Sequence, residues 1–353
     1  MSFIVKILDF LGLKIPQVYD KEEDHWQSLW RCSLAEFFGT LIFVFLGTAS
    51  VTSAVNSAPT NGDAYDQAAF VMSVAFAHGF AIAISIYSIG EISGGTHKAQ
   101  NHECTLGRLK LHRFCVVCTG NINPAVTWAL TITRKISIVR GLCYVISQLV
   151  GAILASLVLK SLLPATIEAR DGLGCHGLHS AITSSTGLQF EITLTFIFIF
   201  IVFSTAISPF VGKMAPVSGA EYGPGKLTPL VLGLTILVLH LVGVPFTGAS
   251  MNPARSFGPA VVAGCWTDHW IYWVGPIIGS TSAAIIAHIF FLSKPEDVAK
   301  VFAGTRGDQS LAQSHNKAAG AIVSPHDSSY APAASDAAAG AGGNPYIQQL
   351  DDE

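Results

Sequence analysis

The chain has 353 residues, half of them hydrophobic and only 12% charged, with a mean hydropathy of +0.49. An ordinary water-soluble domain carries roughly twice that charge, so the composition argues against a chain surrounded only by water. The formal net charge of −3 offers no basic surface for nucleic acid.

In chain order, residues 1–29 read as a cytoplasmic N-terminal segment. Their apolar run is interrupted by Lys6, Asp9 and Lys14 and does not make a secretory signal. Six stretches then have the length and apolar character of membrane spans: 30–53, 68–89, 138–160, 188–208, 227–245 and 268–292. Two shorter apolar pieces, 123–133 and 252–263, cannot cross a bilayer. Each opens with the same tripeptide, Asn123-Pro124-Ala125 and Asn252-Pro253-Ala254. Asn caps a helix, and Pro at the first helical position loses no hydrogen bond. A half-length segment with a helix-starting signal between two spans reads as re-entrant. From 293 onward the tail is rich in Ala, Gly and Ser and ends Asp351-Asp352-Glu353, a composition that reads as a disordered cytoplasmic tail. Ser310, Ser324 and Ser328 are candidate phosphorylation positions in it, with an inert tail the simpler reading.

The two halves repeat. Ala35-Glu36-Phe37-Phe38-Gly39-Thr40 near the start of the first span answers Phe190-Glu191-Ile192-Thr193-Leu194-Thr195 in the fourth. Three spans per half make the second half inverted relative to the first, and inverted repeats place a transport site where discontinuous helices meet at the bilayer midplane. The expected fold is therefore an all-α membrane protein of six transmembrane helices and two re-entrant half-helices. Lys and Arg set the orientation. Arg134, Lys135, Arg140, Lys213, Lys226 and Lys294 fall on one side, whereas the loop after the first span has only Asp63 and Asp66. Both termini are thus expected in the cytoplasm, with Arg170 the exception on the far side.

Two half-helices meeting at the midplane would aim two positive ends at one point. Water there could accept bonds from Asn123 and Asn252, and a cation would be repelled. Glu36 and Glu191 lie within spans and could suggest a proton relay. Their symmetric placement favours a scaffold in which each carboxylate accepts bonds from the non-helical backbone leading to a half-helix. Cys32, Cys143 and Cys265 stand near apolar stretches and are expected as packed thiols. No nucleophile, base and orienting group form a set, so neither an enzyme nor a cofactor is expected.

Asn121-Ile122-Asn123-Pro124-Ala125-Val126-Thr127 and the run Met251-Asn252-Pro253-Ala254-Arg255-Ser256-Phe257-Gly258-Pro259-Ala260 resemble the two signature boxes of the aquaporin (major intrinsic protein) family. The resemblance covers about 30–292 and implies an hourglass fold assembled as a homotetramer in a lipid bilayer, with one water pore per subunit. It carries the family's selectivity filter onto His78, His240, Ala249 and Arg255. Each histidine alone would read as a buried structural residue; their register with the boxes assigns them to the filter. Such a ring is narrow and polar. Arg255 keeps its charge and deters cations. The two histidines together are similar to the plant hybrid intrinsic proteins, and Ser256, Ala260 and Tyr272-Trp273 to the water-conducting pattern. The implied function is passive water flow without ions or protons. The open alternatives are a channel for small neutral solutes (ammonia, urea, hydrogen peroxide) and a non-conducting membrane protein. The plasma membrane is favoured over the vacuolar one.

The chain departs from the family pattern in one place. Glu91-Ile92-Ser93-Gly94-Gly95 should run straight into the first box, but Thr96–Gly120 intervenes. This insert begins polar and basic, with Lys98, Arg108, Lys110 and Arg113, and ends Phe114-Cys115-Val116-Val117-Cys118-Thr119-Gly120. His97, His102, Cys104, His112, Cys115 and Cys118 superficially resemble zinc ligands, yet their spacing fits no zinc motif, so no metal is expected. The segment reads instead as a translated intron, an expectation that transcripts uniformly containing it would refute. Folding can tolerate the added loop length, whereas the geometry of the pore-lining backbone is put at risk.

Overall fold

The computed structural model describes residues 26–57, 66–94, 105–106, 109–110, 120–166, 172–207 and 224–289, all within the unit Met1–Phe302. Among these residues the helices are α1 (Trp26–Asn56), α2 (Gln67–Gly94), α3 (Pro124–Ile132), α4 (Ile138–Leu162), α5 (Ser184–Val202), α6 (Pro224–Thr247), α7 (Pro253–Ala263) and α8 (Ile271–Ala287). A π-helical turn, Phe203–Ile207, extends α5. Five helices contain spans long and apolar enough to cross a membrane, and α8, with 17 residues, is a shorter apolar helix. The two short segments of the sequence are the half-helices α3 and α7.

Local chemistry explains the helix starts. Asp66 Oδ1 accepts the Ala69 N–H at 3.0 Å ahead of α2, and Ser137 Oγ accepts the Arg140 N–H at 3.0 Å to begin α4. Thr183 caps α5 through the Thr186 N–H at 3.2 Å, so this span begins before the expected residue 188. Gly264, at φ 80°, ends α7 in the left-handed conformation that glycine adopts without steric cost.

The packing repeats with the sequence. α1 lies on α4 as α5 lies on α8, α4 touches α7 as α8 touches α3, and α2 crosses α6. At that last crossing, a Cβ on Gly79 would meet the Gly233 carbonyl at 2.7 Å, and one on Gly233 would meet the Gly79 carbonyl at 2.6 Å. Only glycine lets these backbones approach so closely. Outward faces are apolar: Leu142, Ile138 and Val238 are all more than half exposed. Glu36, Glu191, Gln148 and Arg140 are fully buried instead. An apolar exterior with the charged and amide side chains turned inside is the arrangement a lipid solvent selects.

One sequence expectation changes. Cys265 is not a packed thiol: it is disulfide-bonded to Cys175 across a Cα–Cα distance of 6.5 Å. Apolar neighbours in the sequence suggested burial, but the fold brings two loops, 172–183 and 264–270, over one another. Cys32 is buried and Cys143 half-buried, both as free thiols. Arg140 lies in the first turn of α4, within the expected span 138–160, and donates to Tyr144 Oη and Ser28 Oγ, each at 3.1 Å. Gly120, which ends the insert as bounded in the sequence, is buried at φ 63°, and a Cβ there would meet Ile89 at 3.2 Å. It packs as part of the approach to α3.

Within the insert, β1 (Thr105–Leu106) pairs antiparallel with β2 (Leu109–Lys110) in the register Thr105 to Lys110. The remaining insert residues before Gly120, including His97, His102, Cys104, His112, Cys115 and Cys118, lie outside the described residues. So do Asp63, Arg170, Lys213 and Lys294, residues 1–25 of the N-terminal segment and the C-terminal tail, whereas residues 26–29 of the N-terminal segment already belong to α1.

Candidate functional site

The two Asn-Pro-Ala starts meet head to head. Asn123 Oδ1 accepts the Ala125 N–H at 2.8 Å, capping α3, while its Nδ2 donates to the Met251 carbonyl at 2.8 Å. Asn252 Oδ1 accepts the N–H groups of Ala254 and Arg255 at 3.0 and 3.3 Å, capping α7, and its Nδ2 donates to the Ile122 carbonyl at 3.0 Å. Each asparagine thus closes its own half-helix and ties it to the backbone entering the other. Capping fixes the amide orientation, since only the oxygen can accept a backbone N–H. Pro124 and Pro253 occupy the first helical positions, and Ala125 and Ala254 are fully buried behind them.

The residue before each asparagine, Ile122 or Met251, has φ 55° or 51° and is fully buried. Left-handed backbone at a β-branched residue costs about 1–3 kcal/mol and persists only when its surroundings enforce it. Two carboxylates supply that enforcement. Glu36 accepts the N–H groups of Asn121 and Ile122 at 2.8 and 2.7 Å, and Gln148 Nε2 donates to it at 2.8 Å. Glu191 accepts those of Ser250 and Met251 at 3.0 and 2.9 Å, and the Thr247 hydroxyl at 2.7 Å. These are the non-helical segments leading into α3 and α7.

Three of the four residues assigned to the filter, His78, His240 and Arg255, come together. Nδ1–H of His78 bonds the Val74 carbonyl at 2.9 Å, leaving Nε2 to accept from Arg255 Nε at 3.1 Å. His240 is held the same way, Nδ1 to the Ile236 carbonyl at 2.8 Å, and its ring stacks on His78 with centroids 4.5 Å apart. Arg255 Nη1 donates to the Gly174 carbonyl at 2.8 Å, so the guanidinium is fixed from two sides. Ala249, fully buried at φ 58°, lies in the bent chain before Asn252.

Sequence reasoning missed His176. Its Nδ1 lies 2.8 Å from Ser256 Oγ, beside Arg255, and its ring packs on Tyr272 with centroids 5.1 Å apart. Burial of the ring, then the charge of Arg255, holds the His176 pKa well below its usual 6.5, so it is neutral near pH 7. The available signal was the pair Cys175 and Cys265 in loops on the same side. Tyr272 Oη donates to the Thr247 carbonyl at 2.9 Å.

Converging half-helix starts, an inverted helical repeat and an apolar perimeter define a class: polytopic membrane channels whose selective residues come from both halves. The chain matches the Major intrinsic protein family over residues 23–117 and 109–287, two segments that overlap inside the insert. It is 37% identical to the "Probable aquaporin TIP3-2" of Arabidopsis thaliana over 276 residues, 75% of this chain and 85% of that protein. It is 35% identical to "Aquaporin-4" of Mus musculus over 268 residues, 75% of this chain and 68% of that one. An X-ray structure of the aquaglyceroporin from Plasmodium falciparum superposes with a TM-score of 0.53 at 21% identity, covering 73% of this chain and 95% of that one. The chain therefore belongs to the Major intrinsic protein (aquaporin) family, an integral, multi-pass membrane channel and not an enzyme.

Proposed function

We propose that the chain passes water and holds back ions and protons, with His78, His240, Ala249 and Arg255 as the filter and the boxes Asn123-Pro124-Ala125 and Asn252-Pro253-Ala254 at the centre of the pore. The observation that carries this reading is the fixed Arg255 guanidinium on a stacked His78–His240 wall. A permanent cation at a constriction opposes cations, while His240, whose Nδ1 is committed to Ile236, can accept a hydrogen bond from water at Nε2. Deeper in, each Asn amide nitrogen has two hydrogens, one committed across the symmetry axis and one available for water. Two helix N-termini add a positive potential there. Glu36 and Glu191 act as scaffold in this scheme.

The methyl side chain of Ala249 favours a second reading, a channel for small neutral solutes such as ammonia, urea or hydrogen peroxide. The pairing of His78 with His240 supports our placement with the hybrid intrinsic proteins. The relatives themselves, both plant and animal, select no subgroup. For the overall arrangement, we place the channel at 30–292 in a homotetramer, favour the plasma membrane, and put both termini and the 293–353 tail in the cytoplasm. Arg134 and Lys135 support that orientation. The Cys175–Cys265 disulfide supports it independently, since such bonds persist on the oxidising side of a membrane.

Stopped-flow light scattering of liposomes tests the reading. Vesicles holding the chain should shrink faster than empty ones under an osmotic step. Arg255→Val should keep water flow and raise proton leak at least about tenfold, because a unit charge at close range is worth several kcal/mol at intermediate dielectric. A tight Arg255→Val channel would remove the arginine from its assigned role.

A further inference from the structure

We propose that the Cys175–Cys265 disulfide is a positioning latch for the filter, and that opening it loosens discrimination between water and larger neutral solutes. The inference rests on the channel reading above and adds a regulated part to the same site.

The argument is one of position. Gly174, just before Cys175, gives its carbonyl to Arg255 Nη1 at 2.8 Å, and His176, just after it, pairs with Ser256 Oγ at 2.8 Å. Cys265 directly follows Gly264, which ends α7, and α7 carries Arg255 and Ser256 in its first turn. The bond therefore closes a ring running from Arg255 along α7 to Cys265, across to Cys175, and back through the Gly174 carbonyl to Arg255.

Other ties hold the loop at its edges. Leu173 is fully buried, the His179 N–H donates to the Phe246 carbonyl at 2.8 Å, and Ser184 Oγ donates to Asp268 Oδ1 at 2.8 Å. With these anchors in place, breaking the disulfide releases the middle of the loop, residues 174–178, without unfolding the whole. That middle stretch carries the bond to Arg255 of the filter and the bond to Ser256 beside it. Gly174 is already at φ 71°, tightly seated against α1, where an added Cβ would meet the Thr48 carbonyl at 3.1 Å. The direction of its carbonyl therefore depends on how the next residue is held.

Both cysteines are half-buried and so within reach of a small dithiol. One thiolate of the reagent attacks a cysteine Sγ, and the S–S bond breaks with the other Sγ leaving as thiolate. The second thiol of the reagent then displaces the mixed disulfide. Two electrons pass to the cysteines, which take up two protons, and the reagent leaves as its cyclic disulfide.

The experiment uses the full chain in liposomes, oxidised or treated with dithiothreitol, with thiol labelling to score the bond. The double variant Cys175→Ser/Cys265→Ser is run beside them. Reduction should raise the urea-to-water permeability ratio about fivefold, equivalent to about 1 kcal/mol, while water flow changes by less than about twofold. Hydrogen exchange of peptides spanning 174–178 and 249–257 should quicken in parallel. If the double variant does not fold, reduction of the folded wild-type protein still decides the matter. Free Cys175 and Cys265 in protein purified without reductant would overturn the proposal. So would an unchanged permeability ratio after verified reduction, because the bond would then be structural only. Oxidised vesicles with no water flow would count against the channel reading instead, and hydrogen exchange would then judge the latch: unchanged exchange at 249–257 overturns it, and faster exchange there supports it.

Discussion

At the residue scale, two buried carboxylates do the work of holding strained backbone. Each binds a pair of N–H groups that no helix or sheet could satisfy, next to a residue at positive φ. Glu36→Gln removes one acceptor and points an amide N–H at a donor, so the mutant should lose about 2–4 kcal/mol of stability. Its melting temperature in detergent should fall and its water flow should drop with it; an unchanged melting temperature would refute the scaffold role. His176 sets a pH dependence. Its pKa is lowered first by burial and then by the charge of Arg255, so the unfolded chain binds the proton more readily than the folded one. Its contribution to stability is therefore full above about pH 6.5 and is lost as the pH falls below that value. Water permeability should stay level from pH 8 to 6.5 and decline only in acid. A His176→Ala channel should show a weaker decline, which stopped-flow measurements carried from pH 8 to below 6.5 will read.

At the scale of elements, the half-helices show why short apolar segments were legible. Asn-Pro-Ala carries its own capping chemistry, so the starts of α3 and α7 could be placed to the residue from the sequence. The insert is the opposite case. Its Thr105–Leu106 and Leu109–Lys110 pairing is local, while Gly120 is already packed against α2 through Ile89. Removing Thr96–Gly120 or Gly95–Thr119 yields the same chain, because both boundaries are glycine. That shortened chain should conduct water faster than the full one, provided the insert disturbs the backbone before Asn121. Equal rates in liposomes would mark the insert as a tolerated elaboration. The segment before α3 already binds Glu36 with the insert present, so folding of the first half should survive in both forms.

At the scale of the whole molecule, apolar perimeter and polar interior exchange the roles they have in water-soluble proteins. α1 with α4 and α5 with α8 form matching pairs, and α2 crosses α6 between them. One face carries the Cys175–Cys265 disulfide, and the opposite face carries Arg134 and Lys135. Epitope tags on either terminus should therefore be reached by antibody only after cells are permeabilised. Labelling of intact cells would invert the assigned topology and would place the disulfide in a reducing compartment.

The sequence alone determined the apolar spans, the inverted repeat, the capped half-helices and the pairing of Glu36 with Glu191, because each is encoded by local composition or by a motif with its own hydrogen-bond chemistry. Tertiary structure decided what surrounds Arg255. The Gly174 carbonyl, His176 and the partner of Cys265 are far from Arg255 in the sequence or lie in loops without periodicity. No local rule relates a loop cysteine to another 90 residues away. Their meeting depends on two halves of the chain folding around a common axis, and only the folded arrangement of the loops shows it.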